Sequence, residues 1–211
     1  AFADLPLVTA GSGVAIGLPQ NFRRAGLLPA VPVAPELPRI PGPALVLSGS
    51  CSQATLAQVS DWSATRPAYR VDPMRVARGE PVAAEAAAFA RDAQARGETA
   101  LVYASASPDE VRAVQQQLGR DEAGAMIERT LAEVARAMRA AGTRRFVVAG
   151  GETSGAVVQA LDVKALRIGP QIDPGVPWTE TVEREPVALT LKSGNFGAVD
   201  FFAKSLALLD A

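Results

Sequence analysis

A chain of 211 residues, 48% of them hydrophobic, is long enough to bury a substantial core as one large α/β domain or two small ones. Its formal net charge of -1 gives no basic surplus for a phosphate backbone, so we expect no nucleic acid partner. The sequence has no histidine, which excludes a His-ligated zinc site, a Ser-His-Asp triad and a histidine general base within this chain. Any chemistry must come from carboxylates, Lys, Arg, hydroxyls, backbone N–H groups or a hard metal such as magnesium.

The cysteine content and the apolar runs predict the cellular compartment of the protein. A single cysteine, Cys51, excludes an internal disulfide, as is usual in a cytosolic protein. No apolar run reaches the roughly 18 residues of a membrane helix, and the N-terminus has no signal-peptide pattern. We therefore expect a cytoplasmic protein with no membrane partner, and we interpret Cys51 as a small turn residue.

The first part of the chain has two features, a glycine-rich turn and a proline-rich stretch. Residues 5–9 form a possible short strand, and the turn that follows has the spacing Gly-x-Gly-x-x-x-Gly. That spacing differs from the dinucleotide-binding fingerprint, and no acid closes the next candidate strand. Six prolines forbid a helix and favour an extended linker, which we place at residues 31–43; they are Pro29, Pro32, Pro35, Pro38, Pro41 and Pro43.

From residue 44 onward, short apolar strands alternate with helices. We predict strands at residues 44–47, 69–71, 99–103, 145–149, 165–168 and 186–191. We predict helices at residues 53–62, 82–96, 108–117, 121–141, 156–161 and 200–209. The Pro- and Gly-rich residues 169–177 are predicted to be a loop. The alternation predicts an α/β fold with a mostly parallel sheet and helices on both faces, a three-layer αβα arrangement over residues 44–211.

Small residues follow three of the predicted strands, at positions 48–52, 150–155 and 192–197. Because turns after parallel strands lie along one edge of a sheet, we expect these three to converge on one crevice. The turn at 150–155 leaves backbone N–H groups unpaired at the positive end of a helix dipole, which is a geometry that binds phosphate. An ordinary capped turn before a helix explains the same residues, and the residues alone leave both interpretations open.

Charged residues near these turns also have two interpretations. Lys192 could place a positive charge beside backbone N–H groups, or it could be a solvated lysine at a strand end. Glu152 could hold a magnesium-bound water or form a hydrogen bond with a ribose or base, or it could be a first-turn acid favoured by the helix dipole. Asp173 and Asp200 are weaker candidates. The chain has neither a Walker A motif nor the protein-kinase signatures.

Several of these motifs resemble one enzyme family. Gly-Gly-Glu-Thr-Ser-Gly at 150–155 and Leu-Lys-Ser-Gly-Asn-Phe-Gly at 191–197 resemble the four-carbon acid sugar kinase family, also called the DUF1537 type. Residues 7–13, 48–52 and 168–178 resemble the same family, so the match covers almost the whole chain. The ending Lys-Ser-Gly-Asn-Phe-Gly looks most like the 3-oxo-tetronate kinase branch. Ala10 departs from the family pattern, where glycine is more often expected.

The resemblance implies an enzyme of two α/β domains. Its N-terminal domain binds a sugar acid, and its C-terminal domain binds ATP, whose phosphate passes to the terminal hydroxyl of 3-oxo-tetronate, threonate or erythronate. This chain is similar to the C-terminal nucleotide-binding domain alone. The missing N-terminal domain would then supply the general base, a carboxylate, and residues 1–30 would pack on that domain or on the core.

The expected cofactors are ATP and Mg²⁺, with no protein side chain as a direct metal ligand. Nucleotide contact is expected at Ser50, Ser52, Gly150, Gly151, Glu152, Thr153, Ser154, Lys192, Gly194, Asn195 and Gly197.

Two other functions fit the same turns. One is a non-catalytic nucleotide-binding regulatory module, and the other is a dinucleotide-dependent oxidoreductase, against which the glycine spacing argues. The alanine-rich helix at residues 82–96 could support a homodimer.

Overall fold

The structure, a computed structural model, describes residues 7, 9–29, 36 and 39–210. The chain divides into two compact units, Ala1–Pro35 and Glu36–Ala211. In the first unit a 3₁₀ helix, Ser12–Gly17, continues into α1, Leu18–Arg24. The predicted glycine-rich turn is therefore largely helical, and Pro19 is accommodated because the first turn of a helix needs no proline N–H. Residues 5, 6 and 8 of the predicted strand and residues 31–35, 37 and 38 of the proline-rich stretch lie outside the described residues.

The second unit alternates strands and helices as the sequence predicts. Its strands are β1 (Ala44–Ser48), β2 (Ala68–Arg70), β3 (Ala100–Tyr103), β4 (Arg145–Ala149), β5 (Leu166–Asp173), β6 (Val176–Thr181) and β7 (Ala188–Lys192). Its helices are α2 (Gln53–Ser63), α3 (Pro73–Ala77), α4 (Val82–Ala95), α5 (Pro108–Leu118), α6 (Arg120–Ala140), α7 (Gly151–Ala160) and α8 (Phe201–Asp210). Within the part of the chain that the structure describes, no helix combines the length and apolar character needed to cross a membrane.

The seven strands form one sheet in the order β2-β3-β1-β4-β7-β6-β5. The neighbouring pairs from β2 to β7 are parallel, whereas β6 pairs antiparallel with both β7 and β5. The predicted α/β fold with a mostly parallel sheet is confirmed. The antiparallel hairpin at one edge makes the sheet mixed.

The prediction of a loop at residues 169–177 is wrong. These residues belong to the hairpin of β5 and β6, which turns at Gly175 with a φ of +81°. Glycine is favoured at position 169 because a Cβ there would lie 3.0 Å from the carbonyl oxygen of Trp178, which is a tight contact. Pro170 falls where the pairing of β5 with β6 is irregular, and proline is tolerated at such places on an edge strand.

Alternate residues of the strands face two separate cores. Leu45 and Leu47 pack with α4, α6 and α7 on one face, while Ala44 and Val46 pack with α2 and α8 on the other. The chain therefore leaves the neighbouring strands β1 and β4 toward opposite faces. Such a reversal opens a crevice at the carboxyl ends of the strands, where ligands bind in sheets of this kind.

Candidate functional site

Three loops meet at the carboxyl ends of β1, β4 and β7, which are neighbours in the sheet. The backbone N–H groups of Gly49 and Ser50 donate to the carbonyl of Ala149, at 3.1 and 3.3 Å. The N–H of Gly150 donates to the carbonyl of Lys192 at 2.9 Å. These bonds tie the loop after β4 to the loops on both sides, so the predicted convergence of the three turns is confirmed.

The two candidate serines hold the first and third loops together. Ser52 Oγ caps α2 by accepting from the N–H of Thr55 at 3.3 Å, and it donates to the carbonyl of Gly194 at 2.6 Å. Ser50 Oγ accepts from the N–H of Ser52 and donates to Ser52 Oγ, both at 3.3 Å. Both hydroxyls are thus engaged within the protein, and contact of either with a nucleotide stays a prediction.

Lys192 is almost completely buried, with 1% of its surface exposed. Its Nζ donates to Thr55 Oγ1 at 2.9 Å and to the carbonyls of Gly194 and Ser193 at 3.1 and 3.3 Å. An ammonium has three donors, and here each has an acceptor. Burial lowers the pKa of Lys192 to about 8. The interpretation of Lys192 as a solvated strand-end lysine is therefore wrong.

Three of the glycines allow the loops to approach one another. A Cβ on Gly194 would lie closer than 3.0 Å to the hydroxyls of Ser50 and Ser52. A Cβ on Gly49 or on Gly150 would lie closer than 3.0 Å to Thr153 Oγ1. These glycines are explained by contacts within the protein, without any ligand.

Gly151 is the exception among the candidate glycines, because a Cβ there meets nothing within 4 Å. It is the first residue of α7, which the sequence predicted to begin only at residue 156. The connection from β4 to α7 consists of one residue, Gly150, whose φ is +128°. The helix therefore begins at the next residue. Glu152 is exposed in this first turn, and Ser154 is half-buried.

The amino terminus of α7 has no side-chain cap, unlike those of α2 and α5. The first N–H groups of a helix have no partner inside the helix and lie at the positive end of its dipole. In α7 these N–H groups belong to Gly151, Glu152 and Thr153, and they lie at the crevice along the carboxyl ends of the strands. Such a helix end can bind an anion.

A half-buried acid, Glu128 on α6, lies beside this helix end. Thr153 is buried, and its hydroxyl donates to Glu128 Oε1 at 3.1 Å. Glu128 Oε2 is also buried and has no hydrogen-bond partner within the protein. Burial, aided by the negative charge of Glu152, outweighs the Thr153 bond and raises the pKa of Glu128 to about 7.

Glu128 was not predicted from the sequence. It lies among other acids on α6, and no local signal separates it from exposed ones such as Glu133.

Other side chains hold the loop between β7 and α8. The buried Gln58 donates to the carbonyls of Phe196, Gly197 and Ala198, at 3.1, 3.1 and 2.9 Å. Asp173 accepts from the N–H of Ala198 at 2.9 Å and forms an ion pair with Lys204.

The remaining candidates in this loop differ in their surroundings. Asn195 is exposed, and Asp200 is exposed just before α8. A Cβ on Gly197 would lie closer than 3.0 Å to the ring of Phe201.

The geometry can be compared with known families. Residues 45–202 match the model of the family described as the nucleotide-binding C-terminal domain. The chain belongs to this family. Across its whole length, the domain is 63% identical to a 3-oxo-tetronate kinase of Burkholderia multivorans, of which it covers 49%. It is 59% identical to the 3-oxo-tetronate kinase of Pseudomonas fluorescens, with 99% of this chain and 48% of that protein covered.

A solved structure shares the fold. A Haemophilus influenzae protein of the DUF1537 family superposes with a TM-score of 0.80 and 37% identity, over 99% of this chain and 49% of that one. The resemblance of the sequence to the four-carbon acid sugar kinases is confirmed. The nucleotide-binding domain spans about half the length of the curated relatives it matches.

Replacing Gly194 by alanine should loosen the contact between the loops after β1 and β7. The new Cβ would meet the hydroxyls of Ser50 and Ser52, which are fixed by their own hydrogen bonds. We expect Gly194→Ala to lower the free energy of unfolding by about 1–3 kcal/mol in urea titrations. Gly155→Ala is the control, because a Cβ there meets nothing within 4 Å. Equal stability of the two variants would contradict the steric explanation.

Replacing Glu128 by glutamine should change the pH dependence of stability. Since folding raises the pKa of Glu128 from 4.5 to about 7, its contribution is fully present below 4.5 and is lost as the pH rises through 7. We expect Glu128→Gln to be more stable than the parent by about 1–2 kcal/mol at pH 8, after allowance for partial solvent screening, and to match it near pH 4.5. Urea unfolding across this range measures the difference. Glu133→Gln, at an exposed position of α6, should show no such trend.

Proposed function

We propose that this domain is the ATP-binding half of a kinase that phosphorylates the terminal hydroxyl of a four-carbon sugar acid. The observation that carries the proposal is the uncapped amino terminus of α7, which lies at the crevice with open space beside Gly151. The 63% identity to a protein named 3-oxo-tetronate kinase supports 3-oxo-tetronate as the acid. Threonate and erythronate are the related acids to test beside it.

The residues at this helix end fit a polyphosphate. The N–H groups of Gly151, Glu152 and Thr153 provide donors with no partner inside the helix. Gly151 lacks a side chain where an incoming phosphate would need to approach the backbone. The ammonium of Lys192 adds positive charge beneath the loop after β7, while its protons remain hydrogen-bonded to Thr55 and Gly194.

Magnesium fits the same end of α7 through its water shell. Among the described residues, no group of three or more Asp, Glu, Cys or His side chains is arranged to hold a metal ion. Glu152 is exposed in the first turn of α7, where its carboxylate would accept hydrogen bonds from waters of Mg²⁺ bound to the phosphates. When bound, the ion supplies neutralisation of the phosphate charge.

In this proposal the domain contributes by positioning. Phosphoryl transfer depends mainly on holding the phosphates in place and neutralising their charge, which backbone N–H groups can do without histidine. The sugar acid and a carboxylate base are assigned to a separate N-terminal half, because the curated relatives are about twice as long as this chain.

Gly151→Leu should abolish binding of Mg-ATP while leaving the fold intact. The side chain would occupy the space beside the free N–H groups, and its Cβ meets no protein atom within 4 Å. Gly155→Leu on the same helix is the matched control, with equally open surroundings. Calorimetric titration of the full-length protein with Mg-ATP should show binding in the control and none in the Gly151 variant.

Three outcomes would contradict the proposal or select another function. Equal ATP affinity in the two variants would remove the phosphate site from α7. Binding of NADP in place of ATP would favour the oxidoreductase alternative. Binding of ATP without phosphorylation of 3-oxo-tetronate, threonate or erythronate would favour the regulatory module.

A further inference from the structure

A cavity of about 190 Å³ opens beside the amino terminus of α7, on the face of the sheet that carries α6. It lies between α5 and α6 and reaches the loop after β1. Gly49 and Glu152 line it, so it is continuous with the crevice. Its volume is below the roughly 300–1,000 Å³ of sites that enclose a whole small ligand. The cavity therefore suits one moiety of a ligand that extends beyond it.

The walls of the cavity are mainly apolar. They are formed by Val71, Val111, Val114, Ala123 and Ile127. Aliphatic side chains from α5 and α6 favour a group that is weakly hydrated. This lining makes a poor environment for a charged or heavily hydroxylated group.

The charges around the cavity are negative. Glu110, Glu128 and Glu152 line it, and its basic lining residue, Arg70, is paired with Glu110. Because Arg70 neutralises Glu110, the ionised form of Glu128 is the group that disfavours a phosphate or a sugar-acid carboxylate inside the cavity. Glu128 Oε2 is buried and has no hydrogen-bond partner in the protein, so it is an acceptor that a ligand N–H group could satisfy. The cavity therefore favours a neutral ring that carries an N–H donor.

We propose that this cavity binds the adenine base of the nucleotide, with Glu128 accepting a hydrogen bond from the exocyclic amino group. The inference rests on the proposed function, which places the phosphates at the amino terminus of α7. The base site and the phosphate site are then joined by one hydrogen bond within the protein, in which Thr153 in the first turn of α7 donates to Glu128 Oε1.

The assignment makes Glu128 a specificity-determining residue. At a pH above about 7, where Glu128 is ionised, adenine presents an amino donor at position 6, whereas guanine presents a carbonyl oxygen that would face the lone pairs of the carboxylate. ATP should therefore bind more tightly than GTP. Glutamine at this position offers both a donor and an acceptor, and it keeps an oxygen for Thr153.

Gly124→Leu tests the location of the base. Gly124 lines the cavity, and a Cβ there meets nothing within 4 Å, so a leucine can begin there without a steric conflict and extend into the space. Leucine also favours the helical state of α6 over glycine. In the full-length protein, calorimetry should show that Mg-ATP affinity falls at least about tenfold, while the affinity for inorganic tripolyphosphate is unchanged. Gly155→Leu should change neither.

Glu128→Gln tests the role of the carboxylate. We expect the preference for ATP over GTP to fall about tenfold, with tripolyphosphate binding unchanged. A preference that stays the same in this variant, or ATP affinity that survives in Gly124→Leu, would overturn the base site and leave the phosphate site standing. Loss of tripolyphosphate binding in Gly124→Leu would also overturn it. A parent protein that binds neither ATP nor tripolyphosphate would instead remove the proposed function.

Discussion

The buried ammonium of Lys192 holds the functional edge of this domain together. A charge taken out of water is costly unless its hydrogen bonds are replaced, and here three oxygen acceptors from α2 and the loop after β7 replace them. The backbone carbonyl of the same residue accepts from Gly150 at 2.9 Å. One residue thus connects all three loops, through its side chain to α2 and through its backbone to the start of α7.

With these loops fixed, few polar groups at the edge are left without a partner. Ser52 closes the end of α2, whereas the end of α7 carries no cap. Beside Thr153, one oxygen of Glu128 has no hydrogen-bond partner within the protein, and Glu128 is one of the residues that line the mainly apolar cavity. The positive end of the α7 dipole and a mainly apolar cavity lie side by side, and the proposed ATP site uses the first for the phosphates and the second for the base.

Much of the fold could be predicted because the sequence alternates strand and helix patterns and places small residues after β1, β4 and β7. The hairpin at 169–177 was missed because proline and glycine on an edge strand look like loop residues. The burial of Lys192, Gln58 and Glu128 could not be predicted, since each lies in an ordinary local pattern and is enclosed only by elements distant in the chain. The family motifs indicated the edge itself, but not how its side chains divide between protein contacts and open space.

The position of Thr153 has a consequence for how this sequence can evolve. Its hydroxyl lies where a Cβ of either Gly49 or Gly150 would be, and the same hydroxyl donates to Glu128. Enlarging Gly49 requires a smaller residue at 153 first, and that exchange leaves Glu128 Oε1 without its donor. Gly150 is constrained a second time, because residues with a Cβ rarely adopt its φ of +128°. Positions 49, 128 and 153 are therefore constrained to change together.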